Sequence, residues 1–134
     1  MAFVDTYDSL GKNLDISSVL NNRLAQSIDK SITVTADNNT FTINPNIANL
    51  FIVSASSNST IALSSLNSVY TNSGSTISIL LTLSSDSLAI SWPNTIKWRD
   101  ETAPELSHKN LITLMHFGEN NWYGGSMTID DDFV

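Results

Sequence analysis

Apolar and polar residues change their spacing along the chain at Ser31. Before it, Ile16, Leu20 and Leu24 recur at the three-to-four-residue spacing of one helical face. This spacing predicts one short amphipathic helix, preceded by an arm over residues 1–12. Because its apolar stripe is narrow, we expect the helix to need a sheet or another subunit to pack against.

From Ser31 onward the apolar residues alternate with Ser, Thr and Asn at a spacing of two. Such alternation, interrupted by turn residues every ten positions or so, predicts short half-buried strands. We therefore expect a mainly β fold, an antiparallel β-sandwich or roll of about eight strands, with an N-terminal arm and one short helix. No internal repeat stands out. The predicted strand segments are 31–36, 40–44, 49–55, 59–66, 76–83, 87–92, 95–98, 110–117 and 121–129.

This change of spacing also predicts how the chain is divided. Residues 1–30 should form the arm and the helix, and residues 31–134 the β domain. The chain has 134 residues, which is enough for one domain with a substantial core.

The charge pattern narrows the possible partners. The net charge is −7, and the six basic residues are scattered along the chain, whereas nucleic-acid binding relies on clustered Lys and Arg. There is no cysteine, so disulfides and thiolate metal sites are excluded. The longest apolar runs are too short to span a membrane, and the N-terminus lacks a signal-peptide pattern. We expect synthesis in the cytoplasm and neither a nucleic-acid nor a membrane partner.

All three tryptophans lie between residues 91 and 124, in a segment that also contains Pro93 and Pro104. Large aromatic residues in a small β domain usually contribute to a core or an interface. Prolines cannot donate to a sheet ladder, so they should lie at strand starts or edges. The segment therefore predicts a strand, a tight bend, a second short strand, a loop and a closing hairpin.

The same segment resembles a β segment that recurs in bacteriophage tail-fibre, baseplate and other virion proteins. That pattern has a Trp-Pro start, an Ile-Lys-Trp strand, an Ala-Pro-x-Leu loop, an apolar strand and a final Trp-Tyr-Gly. The resemblance implies a phage structural protein without enzymatic activity, commonly a homotrimer. The matching residues are Trp92 and Pro93; Ile96, Lys97 and Trp98; Ala103, Pro104 and Leu106; Leu111 to Phe117; and Trp122, Tyr123 and Gly124.

Two turns depart from the pattern. Arg99-Asp100-Glu101 stands where the pattern has glycines after the Ile-Lys-Trp strand, and Gly118-Glu119-Asn120 replaces an Asp-Gly-Gly turn. We expect these two turns to differ in shape from those of the pattern.

No catalytic or metal-binding pattern accompanies the resemblance. The two histidines, His108 and His116, lie in different predicted elements and do not have HExxH spacing. No glycine-rich phosphate loop and no G-x-S-x-G elbow occurs. We expect a protein that is not an enzyme and that holds no cofactor or metal.

Two functions remain open. The first is a homotrimeric capsid decoration protein of the virion, made in the bacterial host cytoplasm and bound to other virion proteins such as the major capsid protein. The second is a tail-fibre or receptor-binding knob that binds host-surface glycans, with Arg99, Trp122 and Tyr123 stacking on sugars. Under the first, the expected subunit or capsid contacts are Phe3, Val4, Tyr7, Ile16, Leu20 and Leu24.

Overall fold

The computed structural model describes residues 29–67 and 74–133. The chain divides into two units between Lys30 and Ser31, and the unit that begins at Ser31 carries the strands. No helix in these two ranges is long and apolar enough to cross a membrane. The predicted arm and helix, with Phe3, Val4, Tyr7, Ile16, Leu20 and Leu24, lie outside the described residues.

The described residues form nine strands and one 3-10 turn at Arg99–Glu101. The prediction of a mainly β fold is confirmed. The strands are β1 (Ser31–Thr33), β2 (Thr40–Ile43), β3 (Leu50–Ala55), β4 (Ser59–Leu63), β5 (Ser75–Leu83), β6 (Ile90–Ser91), β7 (Ile96–Trp98), β8 (Lys109–His116) and β9 (Trp122–Asp130).

The strands make two sheets of mixed pairing. The larger sheet has six strands in the order β1-β3-β5-β8-β9-β7, and the smaller has three in the order β2-β4-β6. Antiparallel pairing, which was expected throughout, occurs between β5 and β8 and between β8 and β9. The other five ladders are parallel. A residue pattern that alternates inward and outward is the same for both kinds of ladder, so the alternation predicts the strands without their direction.

From β1 to β6 the chain alternates between the two sheets. Ser31 pairs with Leu50 and Thr40 with Thr60, about twenty positions apart, whereas Leu50 pairs with Ser78 and Ser59 with Ile90, about thirty positions apart. The chain thus winds repeatedly through both sheets, although no repeat is visible in its sequence. Parallel ladders are made by backbone groups, and they require only that apolar residues recur on the inner side.

The first turn of this winding is built by two asparagines. Asp37 and Thr40 exchange backbone hydrogen bonds of 2.9 and 3.0 Å, and Asn38 and Asn39 between them have φ of 52° and 58°. Asparagine adopts this left-handed region more readily than most residues. The turn predicted between the first two strands is therefore present, and it sends the chain from the larger sheet to the smaller.

The core lies between the two sheets. The inward rows of the larger sheet place Phe51 beside Ile79 and Ile79 beside Ile112, all fully buried. Phe41 and Ile61 of the smaller sheet belong to the same cluster of buried side chains. Burying a side chain of this size contributes about 1.5–3 kcal/mol to the stability of the fold. These rows therefore determine which side of each sheet faces the other sheet.

Candidate interaction surface

Trp98 contacts both the Trp-Pro end and the Trp-Tyr-Gly end of the aromatic segment. The rings of Trp92 and Trp98 make an edge-to-face contact with centroids 5.2 Å apart. β7 and β9 run parallel, with Trp98 opposite Gly124. A Cβ atom at Gly124 would lie 2.5 Å from the Trp98 ring. Gly124 therefore leaves the space that the Trp98 ring occupies.

Trp122 packs on the inner side of β9. It is opposite His116 in the ladder, their ring centroids are 4.9 Å apart, and both side chains are buried. The Nδ1 atom of His116 accepts a hydrogen bond of 3.1 Å from the backbone N–H of Gly118, which has φ of 88°. This contact ties the turn after β8 to the buried ring pair.

A cavity of about 250 Å³ lies beside this ring pair. It combines one aromatic wall with hydroxyl, amide and carboxylate groups, the combination that small polar ligands use. Its lining includes Ser64, Thr95, His116, Glu119, Asn120 and Trp122.

Tyr123 lies on the opposite, outer side of β9. Its hydroxyl donates a 2.8 Å hydrogen bond to Glu119, and its ring lies 6.0 Å from that of Phe117. The hydrogen bond to Glu119, followed by the charge of that carboxylate, raises the pKa of Tyr123 above its ordinary value of 10.0. Tyr123 is 42% exposed, so its ring is available to a partner.

Apolar side chains form a row across the outer face of the larger sheet. Ile52 of β3 is opposite Leu80 of β5, Leu80 is opposite Leu111 of β8, and Leu111 is opposite Met127 of β9. Ile52 and Met127 are 38% and 58% exposed. We call the outward residues of β3, β5, β8 and β9 the outer face.

Aromatic and sulfur-containing side chains continue the apolar row at one end of the outer face. Met115 is opposite Tyr123 in the ladder between β8 and β9, and Phe117 follows β8 directly. Their exposed fractions are 41%, 42% and 62% for Met115, Tyr123 and Phe117. Large exposed apolar groups this close together mark interaction sites more often than isolated ones do.

β9 also presents an open edge. β7 pairs only with Trp122 to Gly124, while residues 125–130 pair with β8 alone, and no other described strand lies beside them. Residues 125–129 are exposed, and a Cβ atom at Gly125 would meet nothing within 4 Å. An open edge offers backbone N–H and C=O groups to another strand.

The residues predicted to bind glycans do not converge. Arg99 lies in the 3-10 turn, where its side chain is 93% exposed and its Nε is 3.8 Å from a carboxylate oxygen of Asp100. Trp122 is 4% exposed on the inner side of β9, and Tyr123 points to the outer side. These three residues thus lie in three different surroundings.

The turn at Arg99–Glu101, one of the two that depart from the phage pattern, has a strained backbone. Asp100 and Glu101 both have φ of 59°, a region that glycine adopts freely and other residues rarely do. The two acidic residues therefore stand at positions whose backbone favours glycine.

Within residues 29–67 and 74–133, no group of three or more acidic, histidine or cysteine residues is arranged to hold a metal ion. His108 and His116 are separated: the Nδ1 atom of His108 lies 2.8 Å from the carbonyl oxygen of Leu83, whereas His116 packs on Trp122.

Sequence reasoning did not find the outer face. The signal is present in β5 and β8, where Leu80 and Leu111 stand beside inward apolar residues and point away from the core. No family model, no curated protein and no solved structure matches this chain.

Proposed function

We propose that this chain is a non-enzymatic structural protein of a bacteriophage virion, a homotrimeric capsid decoration protein that binds the major capsid protein and stabilises the particle. It is made in the host cytoplasm and incorporated into the virion. Phe3, Val4 and Tyr7 of the N-terminal arm are the proposed contacts to the particle.

The observation that carries this proposal is the exposed apolar outer face beside an open strand edge. A protein that acts alone covers such surfaces, since they invite association. A protein whose role is assembly uses them. The outer face and edge therefore favour a structural role.

The sequence resemblance supports the same role. Trp98 of the Ile-Lys-Trp strand is opposite Gly124 of the Trp-Tyr-Gly end, and β8 between them pairs with β9. The segment thus behaves as one structural unit, the unit that the resemblance associates with virion proteins.

The decisive experiment measures the copy number of the chain in purified phage particles by quantitative mass spectrometry, relative to the major capsid protein. A ratio close to that of the capsid protein supports decoration of the capsid. A ratio close to that of the tail proteins would instead support a tail component, and absence from washed particles would contradict the virion role.

The contribution of the arm is tested by deleting residues 1–12. Under the proposal, the shortened chain keeps its circular dichroism spectrum but no longer binds particles that lack it. Unchanged binding would contradict attachment through Phe3, Val4 and Tyr7.

A receptor-binding knob is the second candidate, and the cavity beside Trp122 is the observation that favours it. Glu119 and Asn120 line that cavity with groups suited to sugar hydroxyls. The test is binding to host-surface polysaccharide, with Asn120→Ala as the variant and Asn94→Ala as the exposed control. Equal binding by both variants would exclude this site.

A further inference from the structure

We propose that the outer face and the open edge of β9 form the surface through which copies of this chain associate with each other. The inference deepens the proposed function and rests on it for homotypic assembly, and it assigns the interface to β8 and β9. The N-terminal arm then remains available to bind the particle.

The outer face approaches the size of a stable protein interface. β8 and β9 have eight and nine residues, so the outer face is about 27 Å long, and four strands with the open edge make it about 19 Å wide. In projection this is on the order of 500 Å², and side-chain relief brings it towards the ~800 Å² per partner of a stable interface.

Met127 lies where the outer face meets the open edge. Met127 is the most exposed member of the apolar row and lies on the open strand, next to the edge. A side chain in this position loses its water first when two sheets meet. Methionine suits the position because it adapts its shape to a partner surface.

Beyond Gly124, β9 is paired on one side only. From Gly125 to Ile129 every residue is exposed, on the inner as well as the outer side of the strand. A strand exposed on both sides and along one edge has only its ladder to β8 to hold it. Pairing with a strand of another chain supplies the second ladder.

The distribution of charge on the outer face favours a second copy of the chain as the partner. The chain has a net charge of −7, yet the outward residues of β5, β8 and β9 are uncharged except for Lys109 and Asp130, which are opposite each other. A cationic partner would find only Asp130, already opposite Lys109, and Glu119, already bonded to Tyr123, as counter-charges at the borders of this face. A second copy presents an equally neutral face and the same pair of opposite charges at its border, so the surface is complementary to itself.

The experiment is sedimentation velocity and equilibrium on the purified full-length chain at micromolar concentration. We expect the wild-type chain to be an oligomer. Met127→Glu should weaken self-association by at least about tenfold, because it places an unpaired charge within the contact, next to the open edge.

Ile47→Glu is the matched control. Ile47 is 52% exposed, close to the 58% of Met127, but it lies in the turn between β2 and β3. This variant should remain an oligomer. Circular dichroism establishes that both variants are folded, and Met115→Ser provides a second test at the outer face if Met127→Glu does not fold.

Three outcomes would overturn the inference: a monomeric wild-type chain, unchanged association in both outer-face variants, or equal loss in the Ile47→Glu control. Unchanged association in the outer-face variants would place the contact elsewhere, and equal loss in the control would attribute the effect to added charge in general. A monomeric chain that is nevertheless present in particles would overturn this interface and leave the virion role intact. An oligomer that is absent from particles would leave this interface intact and overturn the virion role.

Discussion

At the scale of single residues, two adjacent glycines of β9 differ sharply in what surrounds them. A Cβ atom at Gly124 would lie 2.5 Å from the Trp98 ring and 3.0 Å from a methyl group of Ile96. Gly124→Ala should therefore lower the free energy of unfolding by about 1–3 kcal/mol, since either the ring or the strand must shift. Urea unfolding measures this change.

Gly125→Ala is the control for that change, because a Cβ atom there meets nothing within 4 Å. We expect it to be neutral or to stabilise by up to about 1 kcal/mol, since alanine has less conformational freedom than glycine in the unfolded chain. Equal destabilisation by the two substitutions would contradict the packing of Trp98 on Gly124.

In the left-handed turn after β7, a substitution by glycine should stabilise the fold. Glu101 has φ of 59°, which costs a non-glycine residue about 1–2 kcal/mol. Glu101→Gly should raise the free energy of unfolding by about 0.5–1 kcal/mol after the greater entropy of unfolded glycine is subtracted. Glu105→Gly, four residues later and outside the left-handed region, should give no gain in the same urea titration.

Tyr123 provides a prediction about pH. Its raised folded-state pKa means that the hydrogen bond to Glu119 stabilises the fold fully below pH 10.0 and that this contribution is lost as pH rises through the folded pKa. In a spectrophotometric titration, Glu119→Gln should move the ionisation of Tyr123 to lower pH. Glu105→Gln should leave it in place, and a shift in both variants would point to net charge instead of the hydrogen bond.

At the scale of elements, the start of β8 depends on a buried amide. Asn110 is 1% exposed, and its side chain donates to the carbonyl oxygens of Leu81 and Ser107 and accepts from the N–H of Ser107 at 2.8 Å. These bonds join the preceding loop to β5 and β8.

We expect Asn110→Ala to reduce the free energy of unfolding by about 2–4 kcal/mol, because it leaves buried backbone groups unsatisfied and opens a cavity. The exposed Asn120→Ala should change it by less than about 0.5 kcal/mol. Thermal and urea unfolding of the pair measure the difference, and similar values for both would refute a structural role for the amide.

Strands were the part of the fold that the sequence predicted well. Phe51, Val53 and Ala55 alternate with outward residues, and the structure buries these three as that alternation requires. Strand direction was not predictable, because a ladder is formed by backbone groups that every residue carries. Short elements were also merged: residues 87–92 were expected as one strand, but only Ile90 and Ser91 pair, since Pro93 follows closely and its ring cannot join a ladder.

The candidate surface was harder to predict than the fold. Leu80 and Met127 are 47 positions apart in sequence and become neighbours of the same row only through two antiparallel registers. Each register is set by long-range packing. The aromatic segment was predicted correctly as a set of strands and turns, but the burial of Trp122 beside His116 depends on those registers too.

At the scale of the whole molecule, the net charge of −7 opposes association of identical chains. Salt screens that repulsion, while an apolar contact between outer faces is little affected by moderate ionic strength. We therefore expect the dissociation constant of the oligomer to fall as sodium chloride is raised from low to physiological concentration. A dissociation constant that rises with salt in sedimentation equilibrium would indicate an interface made by ion pairs.

The winding of the chain through its two sheets also has a consequence for synthesis on the ribosome. β3, β4 and β6 each pair with a strand that has already been made, so this part of the ladder can assemble in the order in which the chain emerges. β5 likewise pairs with the earlier strand β3, and its second neighbour, β8, follows it by about twenty-five residues. During that interval one edge of β5, whose inward residues belong to the core, is unpaired. A ribosome that pauses between β5 and β8 would therefore hold the chain with an apolar strand open to aggregation.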